Sequence, residues 1–206
     1  MKQLFLTMIP FLVFSVFSKA QNKSNLDQTL PAVSYYTSVL EGKFIFVDRI
    51  VLYTNNNKVT GFYGWAAQTE SAYYLVGEKR GNVIVGQMQG LDGREKSPFT
   101  LKILKNTAVG LSHLGKAVPI DVDDIFKSKD GYSYFDNRTF TIYQSQDKAS
   151  APVKINYEIS DKGFRLVEIG KIEKCPDQDC YTEYDIWYKI KNKDIEGWVF
   201  GLIRTL

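Results

Sequence analysis

One histidine and two cysteines are all the soft nucleophilic or metal-binding chemistry that this chain of 206 residues carries. His113 lies within Leu111-Ser112-His113-Leu114, an apolar setting that suits a packed imidazole better than a general base. Neither Cys175 nor Cys180 has a neighbouring histidine to draw off its thiol proton. Tetrahedral zinc needs four ligands, and no Cys-x-x-Cys supplies them. The two-residue spacing of a redox dithiol is also missing. Asp121, Asp123 and Asp124 form an acidic run without the glycine and distal glutamate of a calcium loop. No nucleophile elbow, phosphate loop or zincin helix motif occurs. Glu41, Glu70 and Glu158 are the carboxylates a hydrolytic pair would draw on, and no spacing brings two of them together. The residues predict a protein that is not an enzyme, with no cofactor and no metal. A hydrolase with a carboxylate pair in its N-terminal sheet is the catalytic alternative.

Aromatic side chains are the richer resource. Tyr and Phe number 13 each, beside three Trp. Polar contacts to nucleic acid are not expected. Residues 1–20 contain Lys2 and Lys19 and no acid, and without them 24 basic groups face 23 acidic ones. A nucleic-acid binder would show a basic excess.

Residues 1–20, MKQLFLTMIPFLVFSVFSKA, have a basic start, an apolar stretch from Leu4 to Phe17, and small residues at Ser18 and Ala20. That is the pattern of a secretory signal peptide with cleavage after Ala20. The apolar stretch is shorter than the ~20 residues a membrane span needs. The expected location is therefore periplasmic or secreted, with no membrane span in the mature chain. In an oxidising compartment Cys175 and Cys180, enclosing Pro176-Asp177-Gln178-Asp179, read as a disulfide across a loop.

These side chains must be positioned by strands. Residues 21–31 are a polar leader without periodicity. From residue 32 to 118 short runs rich in β-branched and aromatic residues alternate with turn signals: Lys43–Val47, Arg49–Tyr53, Lys58–Ala66, Ala72–Val76, Asn82–Gln87 and Phe99–Leu104. Asn55-Asn56-Asn57 and Leu91-Asp92-Gly93 mark tight turns. The pattern predicts an antiparallel meander. Gly61, Gly64, Gly77, Gly86 and Gly90 interrupt these runs. Glycine inside a strand signals bending, so the sheet should coil into a curved meander or half-barrel. Tyr63, Trp65, Tyr73 and Tyr74 would cover the glycine backbone. Such a concavity either binds a ligand or simply packs.

Residues 119–137, rich in charge and carrying Pro119 and Gly131, read as a linker. Strand character returns at residue 138, with Thr139–Tyr143, Val153–Ile159, Phe164–Ile172, Tyr184–Ile190 and Glu196–Ile203. Five short strands over residues 138–206 have the size of a small barrel. The predicted fold class is therefore all-β throughout.

The closing pattern, Trp187-Tyr188-Lys189-Ile190, a short turn, then Gly197-Trp198-Val199, resembles the bacterial SH3 (SH3b) family. There a W-x-K-I strand meets a G-W-V strand through a tight turn, and Thr141-Ile142-Tyr143 stands at the opening strand's place. The family's Arg-x-Gly-Pro signature is replaced by Gln144-Ser145-Gln146-Asp147, and the insertion before Trp187 is longer than typical. The resemblance implies an SH3-like barrel over the last third of the chain. It also implies a binding module for a cell-wall glycan or peptide, or for a periplasmic or extracellular protein. Tyr143, Tyr181, Tyr184, Trp187 and Trp198 are its candidate binding residues, the tyrosines near the surface and the two indoles serving as core or as ligand contact. Gly197 would supply a positive φ or a close approach at the last hairpin. A structural envelope component or an inhibitor protein is the non-binding alternative.

Overall fold

The computed structural model describes residues 33–40, 46–66, 70–94, 96–105, 107–111, 116–119, 139–158, 164–175 and 182–203. The expected signal and leader segments, His113, Glu41, the acidic run at 121–124, Cys180 and Tyr181 lie outside them, as do the side chains of Trp65, Glu70 and Glu158. Among the described residues every regular element is a strand, and no helix is long and apolar enough to cross a membrane.

Eight strands make the first unit: β1 (Val33–Leu40), β2 (Phe46–Asn55), β3 (Lys58–Ala66), β4 (Glu70–Arg80), β5 (Val83–Gly90), β6 (Lys96–Leu104), β7 (Thr107–Val109) and β8 (Lys116–Pro119). They pair in sequence order, all antiparallel, and the meander closes on itself. Closure rests on Tyr36 opposite Pro119 and Thr37 opposite Val118. The half-barrel expected from the glycines is thus carried through to a closed barrel. Pro119, placed by the sequence at the start of a linker, is instead the last residue of β8. The two apolar runs at 43–47 and 49–53 are not separate strands: residues 46–55 are one strand.

Two glycines explain how the sheet curls so tightly. Gly77 and Gly86 face each other across β4 and β5. A methyl group on Gly86 would strike the Val76 carbonyl and come within 2.6 Å of the Gly77 Cα. The strands approach here as only glycine allows. Outside this pinch, an open groove of about 520 Å³ runs over Val76, Glu78, Val85, Gln87 and Pro98. The turns follow their residue types: Asn56 sits at φ 54° and Gly81 at φ 62°.

Period-two alternation then sorts the side chains into two cores. Tyr36, Ile50, Leu52, Val59, Tyr63, Leu75, Ile84, Phe99 and Leu101 fill the barrel interior. Their neighbours Tyr35, Val51 and Phe62 point outward and are equally buried, because the second unit covers them. Phe62 is wholly inaccessible, a burial contributing about 1.5–3 kcal/mol.

That second unit is a five-stranded sheet of β9 (Thr139–Tyr143), β10 (Pro152–Glu158), β11 (Arg165–Lys174), β12 (Tyr184–Lys191) and β13 (Glu196–Phe200). The strand order is β10-β9-β13-β12-β11. Its inner face, with Phe140, Ile142, Leu166, Ile169, Ile186, Tyr188, Ile190 and Val199, joins Tyr35, Val51 and Phe62 in one continuous apolar core. Polar contacts cross the same seam. Thr60 Oγ1 donates to the Ile169 carbonyl at 2.7 Å, and Tyr74 OH to the Gly170 carbonyl at 3.0 Å. The turn at residues 91–93 leans on the start of β12, where the Tyr184 amide donates to the Leu91 carbonyl at 2.8 Å.

Candidate functional site

The outer face of the C-terminal sheet gathers its aromatic residues. β12 and β13 pair through a tight turn in which Asn192 Oδ1 accepts the amides of Asp194 and Ile195. Trp187 lies opposite Phe200 and Lys189 opposite Trp198. Trp198 in turn faces Tyr143 on β9. All five therefore share one face, because directly paired residues of a sheet project to the same side. Trp187 is flanked by Tyr143, T-shaped at 5.7 Å, and by Phe200 at 5.2 Å.

Cations frame the rings. Lys148 Nζ stands 4.3 Å from the Phe200 centroid and Lys189 Nζ 6.0 Å from that of Trp198. An ammonium over an aromatic face is drawn by the ring quadrupole. Carboxylates balance the charge. Glu196 pairs with Lys189 at 2.8 Å and Lys191 at 2.6 Å, and these bonds hold its pKa down at about 2. Glu196 likewise keeps the Lys189 ammonium charged above its ordinary range. Glu173 accepts the Trp187 indole N–H at 2.8 Å. That hydrogen bond, reinforced by Lys171, lowers the Glu173 pKa against the opposing effect of burial. The result is a mixed-charge rim around an aromatic floor, able to stack on a flat ligand and to hydrogen-bond at its margin.

The predicted binding residues separate. Trp187 is fully buried and Trp198 is 8% exposed. Trp187 is committed to packing and to Glu173. Trp198 and the half-buried Tyr143 and Phe200 reach the margin. Tyr184, expected near the surface, is instead half-buried against the inner core. Tyr181 lies outside the described residues. Gly197 acts by close approach: a methyl there would come within 2.5 Å of Ile142 Cγ2 and 2.7 Å of the Tyr143 carbonyl. Its φ is not positive, whereas Gly201 sits at φ 72°.

Sequence reasoning missed Phe200, Lys148, Gln146 and Gly170. In the sequence, Gln144-Ser145-Gln146-Asp147 stands out only where it replaces the SH3b Arg-x-Gly-Pro signature. Gly170, interior to β11, carried the signal that flagged the barrel glycines, and it marks a register shift there, between Ile169 and Ile172.

One end of the barrel holds a second polar cluster. Tyr63 OH donates to the buried Asp48 Oδ1 at 3.1 Å, and the Tyr63 ring stacks on Tyr73 at 5.8 Å. Arg94 Nη1 donates to Tyr73 OH at 2.8 Å while its Nε pairs with Asp92. Burial, then the Asp48 charge, raise the Tyr63 pKa far above its ordinary value. Its phenol stays protonated and serves as a fixed donor to Asp48.

No protein-family model matches this chain, and comparison with curated proteins and with solved structures finds no match.

Proposed function

We propose that this chain is an exported, non-catalytic binding protein whose C-terminal sheet takes a cell-wall glycan or peptide, or a protein ligand, on its outer aromatic face. The reading draws on the SH3b likeness of residues 138–206 and on the signal-peptide pattern of residues 1–20. One observation carries it furthest: Tyr143, Trp198 and Phe200 share a face framed by the ammonium groups of Lys148 and Lys189. Aromatic rims beside charged donors suit ligands that offer flat surfaces and hydrogen-bonding groups. The Cys175–Cys180 disulfide belongs to the same proposal, as a staple suited to an oxidising compartment. The barrel serves as scaffold, since its outer wall completes the core beneath the sheet.

Co-sedimentation with purified peptidoglycan and retention of periplasmic proteins on the immobilised chain test the reading. Retention that falls in a Phe200→Ala, Lys148→Ala double variant is expected. Folded protein that retains neither overturns it.

A further inference from the structure

The loop between β9 and β10 lies across the aromatic face. Asp147 shapes it, accepting the Ala149 amide at 2.8 Å on its side chain and the Ser150 amide at 3.0 Å on its carbonyl. Two side chains bring the loop to the sheet. Lys148 sits over Phe200, and Gln146 Oε1 accepts the Lys171 amide at 2.7 Å. Lys171 belongs to the β11 bulge, and Gly170 lies immediately before it. A methyl on Gly170 would strike Gln146 Oε1, come within 2.5 Å of the carboxamide carbon, and reach 2.7 Å from Trp198 Cζ3. The carboxamide of Gln146 therefore rests on a glycine floor, against an indole wall, with a backbone N–H bonded to its oxygen.

Those three parts are what recognition of a planar amide requires. The floor permits close approach, the wall offers a flat apolar contact, and the N–H satisfies the carbonyl. The carboxamide that fills the place comes from an exposed loop, tied to the sheet by a neutral hydrogen bond, a cation–ring contact and the attraction of the Lys148 ammonium to the Glu173 carboxylate. We propose that this is an amide-recognition subsite kept closed by Gln146 as a built-in occupant. A ligand carrying a secondary amide, whether an N-acetyl group or a peptide bond, takes the carboxamide's place and lifts the strap of residues 144–151 from Trp198. The ligand class rests on the binding function proposed above; the strap stands on geometry alone.

Acrylamide quenching of tryptophan fluorescence in the full exported chain tests both parts. Gln146→Ala should raise quenching by about twofold as a protected indole becomes accessible, with unchanged far-UV circular dichroism. The increase should vanish when Trp198→Phe is added. Gln146→Asn keeps the carboxamide but withdraws it by one methylene, and should behave as Gln146→Ala does. Diacetylchitobiose and an N-acetylated dialanine methylamide are then titrated separately. At least one should protect Trp198 in Gln146→Ala at about tenfold lower concentration than in the parent chain, because the open, binding-competent state is sparsely populated in the parent. Protection by the sugar alone or the peptide alone identifies the source of the amide. Unchanged quenching in both folded variants overturns the strap. Equal affinity in parent and variant overturns the self-occupant. An opened strap that neither probe protects overturns the amide ligand, while retention on peptidoglycan continues to judge the broader binding function.

Discussion

Tyr74 on the barrel and Gly170 on the C-terminal sheet are joined by a hydrogen bond of 3.0 Å, from the phenol hydroxyl to the glycine carbonyl. One residue earlier, Thr60 takes the Ile169 carbonyl in the same way. The bulge in β11 thus presents consecutive carbonyls to the barrel wall while its next amide, that of Lys171, serves Gln146 on the other side.

Removing the Tyr74 hydroxyl should show what this seam contributes. Tyr74→Phe and Thr60→Val are each expected to cost about 1 kcal/mol, the usual net value of such a bond. Urea unfolding measures it. Because one core spans both sheets, barrel and sheet should unfold in a single transition in the parent and in both variants.

Gly86→Ala tests the pinch. Its methyl would meet the Val76 carbonyl and the Gly77 backbone, neither of which is a flexible side-chain tip. A loss of about 1–3 kcal/mol is expected from the forced backbone shift. Thr100→Ala, on the exposed outer side of the neighbouring β6, should stay within about 0.5 kcal/mol. Thermal melts of both variants against the parent decide the matter.

Acid should undo the Glu196 bridges late. With its pKa held at about 2 by Lys189 and Lys191, Glu196 is a carboxylate whose folded value lies below its unfolded one. Its stabilising contribution is present above about pH 4.3 and is lost as pH falls toward the folded value. NMR titration of the Glu196 side chain should centre near pH 2, and Lys189→Met should move the midpoint upward.

Alkali acts with the opposite sign. Burial raises the Tyr74 pKa to about 12 and drives those of Tyr35, Tyr63 and Tyr188 higher still. Folding favours the neutral phenol in each. The stabilisation is intact below about pH 10 and declines above it. Absorbance at 295 nm should show Tyr35, Tyr63 and Tyr188 ionising only together with unfolding, in one steep step.

The proposed Cys175–Cys180 staple is checked by mass. Alkylation of the unfolded chain should modify neither Cys175 nor Cys180 before reduction and both after it. Cys175→Ser should lower stability by up to about 2 kcal/mol, as expected for a short closed loop.

The strands were legible where alternation and turn chemistry act locally. Val51 and Leu52 sit on opposite faces as period two requires, and Asn56 takes the left-handed turn its type favours. Closure was not legible, because β7 and β8 are too short to show any period. Burial of the outward-facing Tyr35 and Phe62 depends on a sheet more than seventy residues away in sequence. The strap escaped notice for a similar reason. Gln146 is an ordinary polar loop residue until the fold brings Lys171, 25 positions on, to its oxygen. Trp187 and Trp198 stood out by type, yet only coordinates separate the indole sealed by Glu173 from the one at the margin.

Closure of the ring also dictates a schedule. The first strand needs the second on one flank and the eighth on the other. Hairpins from residue 46 to 104 can zip locally, but the ring's last bonds wait until residues 118 and 119 have left the ribosome. Assembly dominated by so distant a pairing is slow, and a fragment stopping short of residue 116 should leave the first strand hanging from a single partner.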